Sequence, residues 1–276
     1  MSEIIYQVSD PVATITLNRP ERLNALSYSL LADLREAVDQ AATDPEVVGI
    51  VITGAGRGFC AGLDTAALAA VAKSGGSQSS APTEGRKGLF SYLCEVPKPV
   101  LAAVNGVAAG GGYVLATMCD LRIGGPGARF TSVFSKRGLV AEHGVTWTTP
   151  RLVGLGRALD LLWTSRMVDA QEAYRIGLLE FLAEDPVAEA RDYIVALAET
   201  VSPTSIADSK RMVWDHAGLD VDTALDDAFE VVQSQFDRPD IAEGVHSFLE
   251  KRPASFPRLG SPEAHPPHPG RRRGRP

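Results

Sequence analysis

A chain of 276 residues, 45% hydrophobic and 22% charged, can bury a sizeable core without disulfide or metal staples, which excludes wholesale disorder. Its 27 basic and 34 acidic residues give a formal charge of −7, which argues against a nucleic-acid partner. The cysteines, Cys60, Cys94 and Cys119, are odd in number and form no CxxC pair, so a reduced, cytoplasmic setting is expected.

The opening residues, MSEIIYQVSD, show no basic segment followed by an apolar one, so no secretory signal is read there. Residues 4–8 and 12–17 predict a hairpin turning at Ser9-Asp10-Pro11, and Asn18-Arg19-Pro20 closes its second strand. Leu30, Leu31, Leu34, Val38 and Ala41 recur at helical spacing and predict a helix up to Thr43, with Ser27 as its N-cap. VVGIVITG (47–54) reads as a strand covered on both faces. Strands at 47–53, 100–104 and 120–123 alternate with helical patterns, the mark of repeated β-β-α or β-α-β units in an α/β fold.

Residues 72–88 are rich in Gly, Ser and Pro and read as a mobile surface loop. The stretch 99–118 is apolar enough to imitate a membrane helix, but proline opens it and glycines at 106 and 110–112 interrupt it. Strand, glycine-rich turn and helix is the reading adopted, with no membrane partner. Beyond about Arg157 the pattern is wholly helical. The divisions read are a core over 1–200, a helical region over 201–257, and a Pro/Arg-rich tail over 258–276. The tail is expected to be disordered and removable without loss of stability, its RRRGR cluster solvated rather than bound to an acidic partner.

GAGRGF (54–59) follows a strand but has Phe59 where a dinucleotide fingerprint needs its last glycine, and no acidic partner follows the next strand. No GxxxxGK[ST], HExxH, clustered Cys/His spacing or GxSxG occurs, so no metal is expected. What remains is GFCAGLD (58–64) and NGVAAGGGYVLATMCD (105–120), each joining an apolar strand to a helical pattern through glycines. Such turns aim free peptide N–H groups outward at a helix start. Two of them side by side would cradle a developing negative oxygen.

These segments, with NRPERLNAL (18–26), RGLVAEHGVTW (137–147) and EGVHSFLEKRPASF (243–256), resemble the crotonase (enoyl-CoA hydratase/isomerase) superfamily from about Ile4 to Phe256. The resemblance implies a spiral of β-β-α units with an α-helical C-terminal trimerisation region. It also implies an acyl-CoA thioester substrate whose enolate sits in an oxyanion hole, and assembly as a homotrimer or dimer of trimers. Coenzyme A would enter as part of the substrate, and no separate cofactor is implied. The hole's donors would be the backbone N–H groups of Leu63 and Gly111, with Ala61, Gly62 and Gly110 around them. Arg22 matches a basic position near the CoA phosphates, and Lys251 is a second candidate, reaching a neighbouring subunit's nucleotide.

The family's hydratases place two glutamates on the added water; this chain has Val114 and Phe134 there, and neither side chain moves a proton. Glu142 matches a position where some isomerases, dehalogenases and a ring-closing synthase keep an acid, with His143 beside it to orient or pack. Asp64 reads as a cap for a helix opening near residue 65, and Asp120 as a structural turn residue. Tyr113, Val114, Phe134 and Trp147 are candidates to line an apolar pocket for a bulky or aromatic acyl group. The function expected is double-bond isomerisation with Glu142 as the single acid/base. The alternatives are hydration with Glu142 activating water, and a non-catalytic acyl-CoA-binding protein.

Overall fold

A computed structural model describes residues 2–64 and 88–270; the predicted loop at 72–88 therefore lies, Gly88 apart, outside the described residues. β1 (Ile4–Ser9) and β2 (Val12–Leu17) form the expected antiparallel hairpin, Ile4 opposite Leu17. α1 (Tyr28–Thr43) starts where its cap predicts: the Leu30 N–H donates to Ser27 Oγ at 3.0 Å. Its 3.6-residue period then turns Leu30, Leu34, Val38 and Ala41 into the core.

β3 (Gly49–Gly54), β5 (Val100–Val104) and β7 (Leu121–Gly124) continue from β2 as parallel strands, and β3 and β5 are buried at every position. Between them come three-residue strands, β4 (Gly58–Cys60), β6 (Val107–Ala109) and β8 (Arg129–Thr131), which pair with one another. From β3 to β8, the first strand of each pair joins a six-stranded sheet and the second a four-stranded sheet. The chain thus winds as a spiral of β-β-α units, with α2 (Gly111–Met118) and α3 (Val145–Val153) following their strand pairs. Residues 99–118 break into strand β5 and helix α2 as the glycines predicted, with the unforeseen strand β6 between them, and among the described residues no helix is long and apolar enough to cross a membrane.

The remaining helices are α4 (Leu155–Thr164), α5 (Ala170–Ile176), α6 (Pro186–Thr200), α7 (Pro203–His216), α8 (Val221–Gln235) and α9 (Pro239–Glu250). α6 lays Ala190 and Ile194 on the outer face of the large sheet, against Val51, Leu101 and Ile123. The wholly helical reading beyond Arg157 needs one correction. β9 (Val168–Asp169) pairs with β8, and β10 (Phe181–Leu182) pairs with β7. Two residues carry no alternation, and partners some forty to sixty positions away leave no local signal. Buried Arg122 fastens the second junction, donating to Cys119 O and Leu178 O and pairing with Glu180. In the C-terminal region, Arg238 pairs with Asp208 at 2.7 Å in full burial, and Asp227 gathers Arg211 and His216.

Residues 258–270 of the expected tail make specific contacts, and its RRRGR cluster lies outside the described residues. Arg258 pairs with Asp10 and donates to Glu46 O, Leu259 is buried, and the His268 N–H donates to Asp208 Oδ1 at 2.8 Å. A proline-rich segment has little backbone freedom to lose, so a few anchors suffice to dock residues 258–270. Composition alone hid this, because the anchors are single residues meeting distant partners. Deletion from Arg258 onward is expected to lower the melting temperature by several degrees, since burying one leucine is worth about 1.5–3 kcal/mol. A calorimetric midpoint unchanged by the deletion would show that these contacts carry no stability.

Candidate active site

The 58–64 segment is strapped to residues 23–26 along its length. Asn24 Nδ2 donates to the carbonyls of Gly58, Ala55 and Phe59, at 2.7, 3.0 and 3.2 Å. The Ala61 N–H donates to Leu23 O, the Leu26 N–H to Gly62 O and the Asp64 N–H to Leu26 O. Successive peptide groups of an extended chain face opposite sides. Both bonds to Leu26 flank Leu63, so the Leu63 N–H points away from that strap. No acceptor among the described residues meets it.

The second turn lies against the first. Gly110 (φ 53°, ψ −115°) caps α2, and its N–H donates to Thr131 O. Gly111 then opens the helix, where the first N–H groups have no partner inside it. A Cβ on Gly62 would lie 2.6 Å from Ala109 O and 3.1 Å from Gly111 N, and one on Gly112 would lie 2.0 Å from Cys60 O. Only glycine lets two backbones approach so closely, and Gly62 also has φ +89°. Peptides 62–63 and 110–111 therefore stand side by side, one of them at the positive end of a helix. This closeness of the two turns is what the expected pair of donors, the Leu63 and Gly111 N–H groups, requires.

Several side chains on these segments are apolar or neutral. Burial pushes the Cys60 thiol up to about 12, so it is an inert filler and not a nucleophile. Val114, one turn into α2, is fully buried, and its N–H closes on Gly110 O. The loop after β8 reaches the cradle through Val133, whose Cγ2 lies 3.2 Å from where a Gly110 Cβ would be; Phe134 follows, buried. Glu142 and His143 sit just before α3, with His143 Nε2 3.5 Å from Glu142 Oε1 and the Glu142 side chain half exposed. Their loop is placed by Gly144, over which the Met118 methyl from the far end of α2 closes.

The other predicted residues divide. Arg22 is exposed at the rim, next to Leu23, which receives the Ala61 N–H. Asp64 is buried and paired with Arg19 at 3.0 Å, and the helix it was expected to cap lies outside the described residues. Asp120 accepts the Val100 N–H, the Trp214 Nε1–H and Lys210, which is a structural junction. Lys251, at the left-handed end of α9, is exposed and makes no described contact with the cradle segments.

Two of the four pocket-lining candidates face elsewhere. The Tyr113 hydroxyl, pushed up to about 12 by burial, shares a hydrogen bond with Thr149. Trp147 stacks on Trp214 at 5.6 Å in the wall of an apolar cavity of about 560 Å³ beneath α6 and α7, which contains no residue of 58–64 or 105–112. Tyr113 is taken up by core packing and Trp147 by this separate cavity. Sequence reasoning singled out Arg22 in NRPERLNAL but missed Arg19 and Asn24, which brace the 58–64 segment. Asn24 at φ +56° is a backbone state no pattern of apolar residues reveals.

Comparison with known proteins bears on the family and the fold. The family model described as enoyl-CoA hydratase/isomerase matches residues 7–258. The chain is 34% identical to 1,2-epoxyphenylacetyl-CoA isomerase of Escherichia coli, over 93% of this chain and 98% of that one. It is 37% identical to a probable enoyl-CoA hydratase of Rhodobacter capsulatus, over 92% and 97%. The crystal structure of an enoyl-CoA hydratase from Mycobacterium tuberculosis H37Rv superposes with a TM-score of 0.83 at 29% identity, covering 95% of this chain and all of that one.

Proposed function

The chain belongs to the enoyl-CoA hydratase/isomerase family and is a crotonase-type acyl-CoA enzyme; from that premise we propose that it isomerises the double bond of an enoyl thioester, with Glu142 as its single acid/base. The thioester oxygen takes the N–H groups of Leu63 and Gly111. Glu142 removes the proton on the saturated carbon next to the carbonyl, or on the γ carbon when the double bond is already conjugated. The electron pair moves onto the oxygen as an enolate, and the same carboxyl returns the proton at the other end of the allylic system. No atom is gained or lost. Each cradle donor is worth about 3–4 kcal/mol at the enolate.

The observation that carries this reading is the pair of apolar residues, Val114 and Phe134, at the two positions from which glutamates would hold a water in the family's hydratases. Proton return needs one carboxyl, whereas water addition as those enzymes perform it uses two. Among the described residues Glu142 Oε1 lies 3.5 Å from His143 Nε2 and pairs with no arginine or lysine. Exposed Arg22 beside the cradle segment supports a role on the CoA phosphates; coenzyme A is part of the substrate in this reading. The test is turnover of short, long and aromatic enoyl-CoAs in deuterated and in oxygen-18 water. Deuterium at the α or γ carbon is expected. Oxygen-18 at C3, formed at the main rate, would make the enzyme a hydratase, and binding of all the thioesters with no turnover would overturn the reaction assignment.

The same reading includes self-assembly. α8, the residue that ends it and α9 expose Leu225, Phe229, Phe236 and Phe248, while α4 and the segment after it expose Leu155, Trp163 and Met167. Apolar faces of that extent are covered in working proteins. Two different patches on one chain fit a heterologous contact that closes into a ring. Light scattering at micromolar concentration is expected to give the mass of a trimer or a dimer of trimers; a monomer would contradict it.

A further inference from the structure

The cradle needs more than two N–H groups: it needs them held at one separation. The Gly111 donor is fixed by its helix. The Leu63 donor sits on an irregular segment, so something else must fix it. Arg19 is the residue in place to do so. Its Nη1 donates to Ala25 O at 2.6 Å, its Nη2 pairs with Asp64 Oδ2 at 3.0 Å, and its Nε pairs with Glu3 Oε1 at 2.9 Å. Ala25 and Asp64 are the neighbours of Leu26 and Leu63, the two residues of the bridge that turns the Leu63 N–H outward.

One planar guanidinium therefore spans both chains of that bridge. Its side chain and that of Asp64 are 16% and 11% exposed, so water competes little for either. Glu3 is itself held by the hydroxyls of Ser27 and Ser29, each at 2.7 Å, and these bonds keep its carboxyl below its usual range. The anchor thus extends from the hairpin through Arg19 to the residue after the donor. A lysine could match one of the three contacts but not the fork.

We propose that Arg19 is a positioning residue for the reaction, setting the Leu63 N–H against the Gly111 N–H through its joint grip on Asp64 and Ala25. The inference rests on the cradle being the thioester site. Arg19 touches no reacting atom, so its loss misplaces a donor that matters most when the oxygen carries charge. Turnover then falls while binding of the CoA portion stays.

The experiment compares wild type, Arg19→Lys, Asp64→Asn and the double variant. It reads kcat and KM on an enoyl-CoA that wild type converts. It also reads the ultraviolet absorption of bound cinnamoyl-CoA, which moves to longer wavelength when the carbonyl is polarised. Each single variant is expected to lose about 10–100-fold in kcat, the usual cost of a small misplacement, with KM within about threefold. The spectral shift should shrink in both, and the double variant should be no worse than the poorer single. Asp64→Asn leaves Arg19 on Glu3 and Ala25, so it carries the test should Arg19→Lys fail to fold. A full spectral shift with kcat within about twofold of wild type, or losses that multiply in the double variant, would overturn the proposal. A wild type that binds cinnamoyl-CoA without any shift would instead remove the cradle reading, and this inference with it.

Discussion

Glu142→Gln is expected to lower turnover by about two to four orders of magnitude, the ordinary worth of a positioned acid/base. Acyl-CoA affinity should barely move, because glutamine keeps the size of the side chain and the cradle donors are backbone groups on other segments. The comparison that gives this weight is with its neighbours. His143 lies 3.5 Å away and is the nearest rival proton carrier, whereas Asp64 is locked to Arg19 and would have to leave that pair to serve as one. If Glu142→Gln keeps near-normal turnover while His143→Ala or Asp64→Asn abolishes it, the proton carrier has been misassigned. Deuterium washing into the substrate should vanish with the Glu142 carboxyl, at the same rate as turnover.

Gly62→Ala is expected to be comparably severe for a steric reason. Its methyl would lie 2.6 Å from Ala109 O and 3.1 Å from Gly111 N, on a residue whose φ is +89°. A left-handed alanine costs about 1–2 kcal/mol by itself. The larger effect is on function: the second turn must retreat, and the two donors separate. Loss of one such donor costs about 10²–10³ in kcat, and this substitution disturbs both. The measurement is kcat at a temperature well below the variant's own melting point, with circular dichroism to show a native fold. Turnover within a few-fold of wild type would mean that peptides 62–63 and 110–111 do not hold the reacting carbonyl. Ala61→Gly makes a useful contrast, since it adds no atom to the contact.

Much of this molecule is determined locally, and there sequence reading succeeds. Ser27 caps α1 because a hydroxyl three residues before a free N–H is a short-range event. The runs at 49–54 and 100–104 are strands because continuous apolar residues between turn signals have few other uses. The glycines of 58–64 and 105–112 mark two tight turns, which is legible because glycine has a specific conformational role.

What only the tertiary structure decided involves partners far apart in the chain. The two glycine turns face each other because β4 and β6 pair, and a three-residue strand leaves no periodicity to predict that pairing. β9, β10 and the docked tail were hidden for the same reason: each is held by a few residues meeting others tens to hundreds of positions away. Trp147 and Tyr113 have the composition of a substrate pocket, but apolar character does not say which side of a helix faces which cavity. Arg19 stands beside Asp64 across 45 residues of sequence, and only folding makes that distance 3.0 Å. Short-range chemistry thus chose the elements and exposed the backbone donors, while long-range packing chose which of them meet.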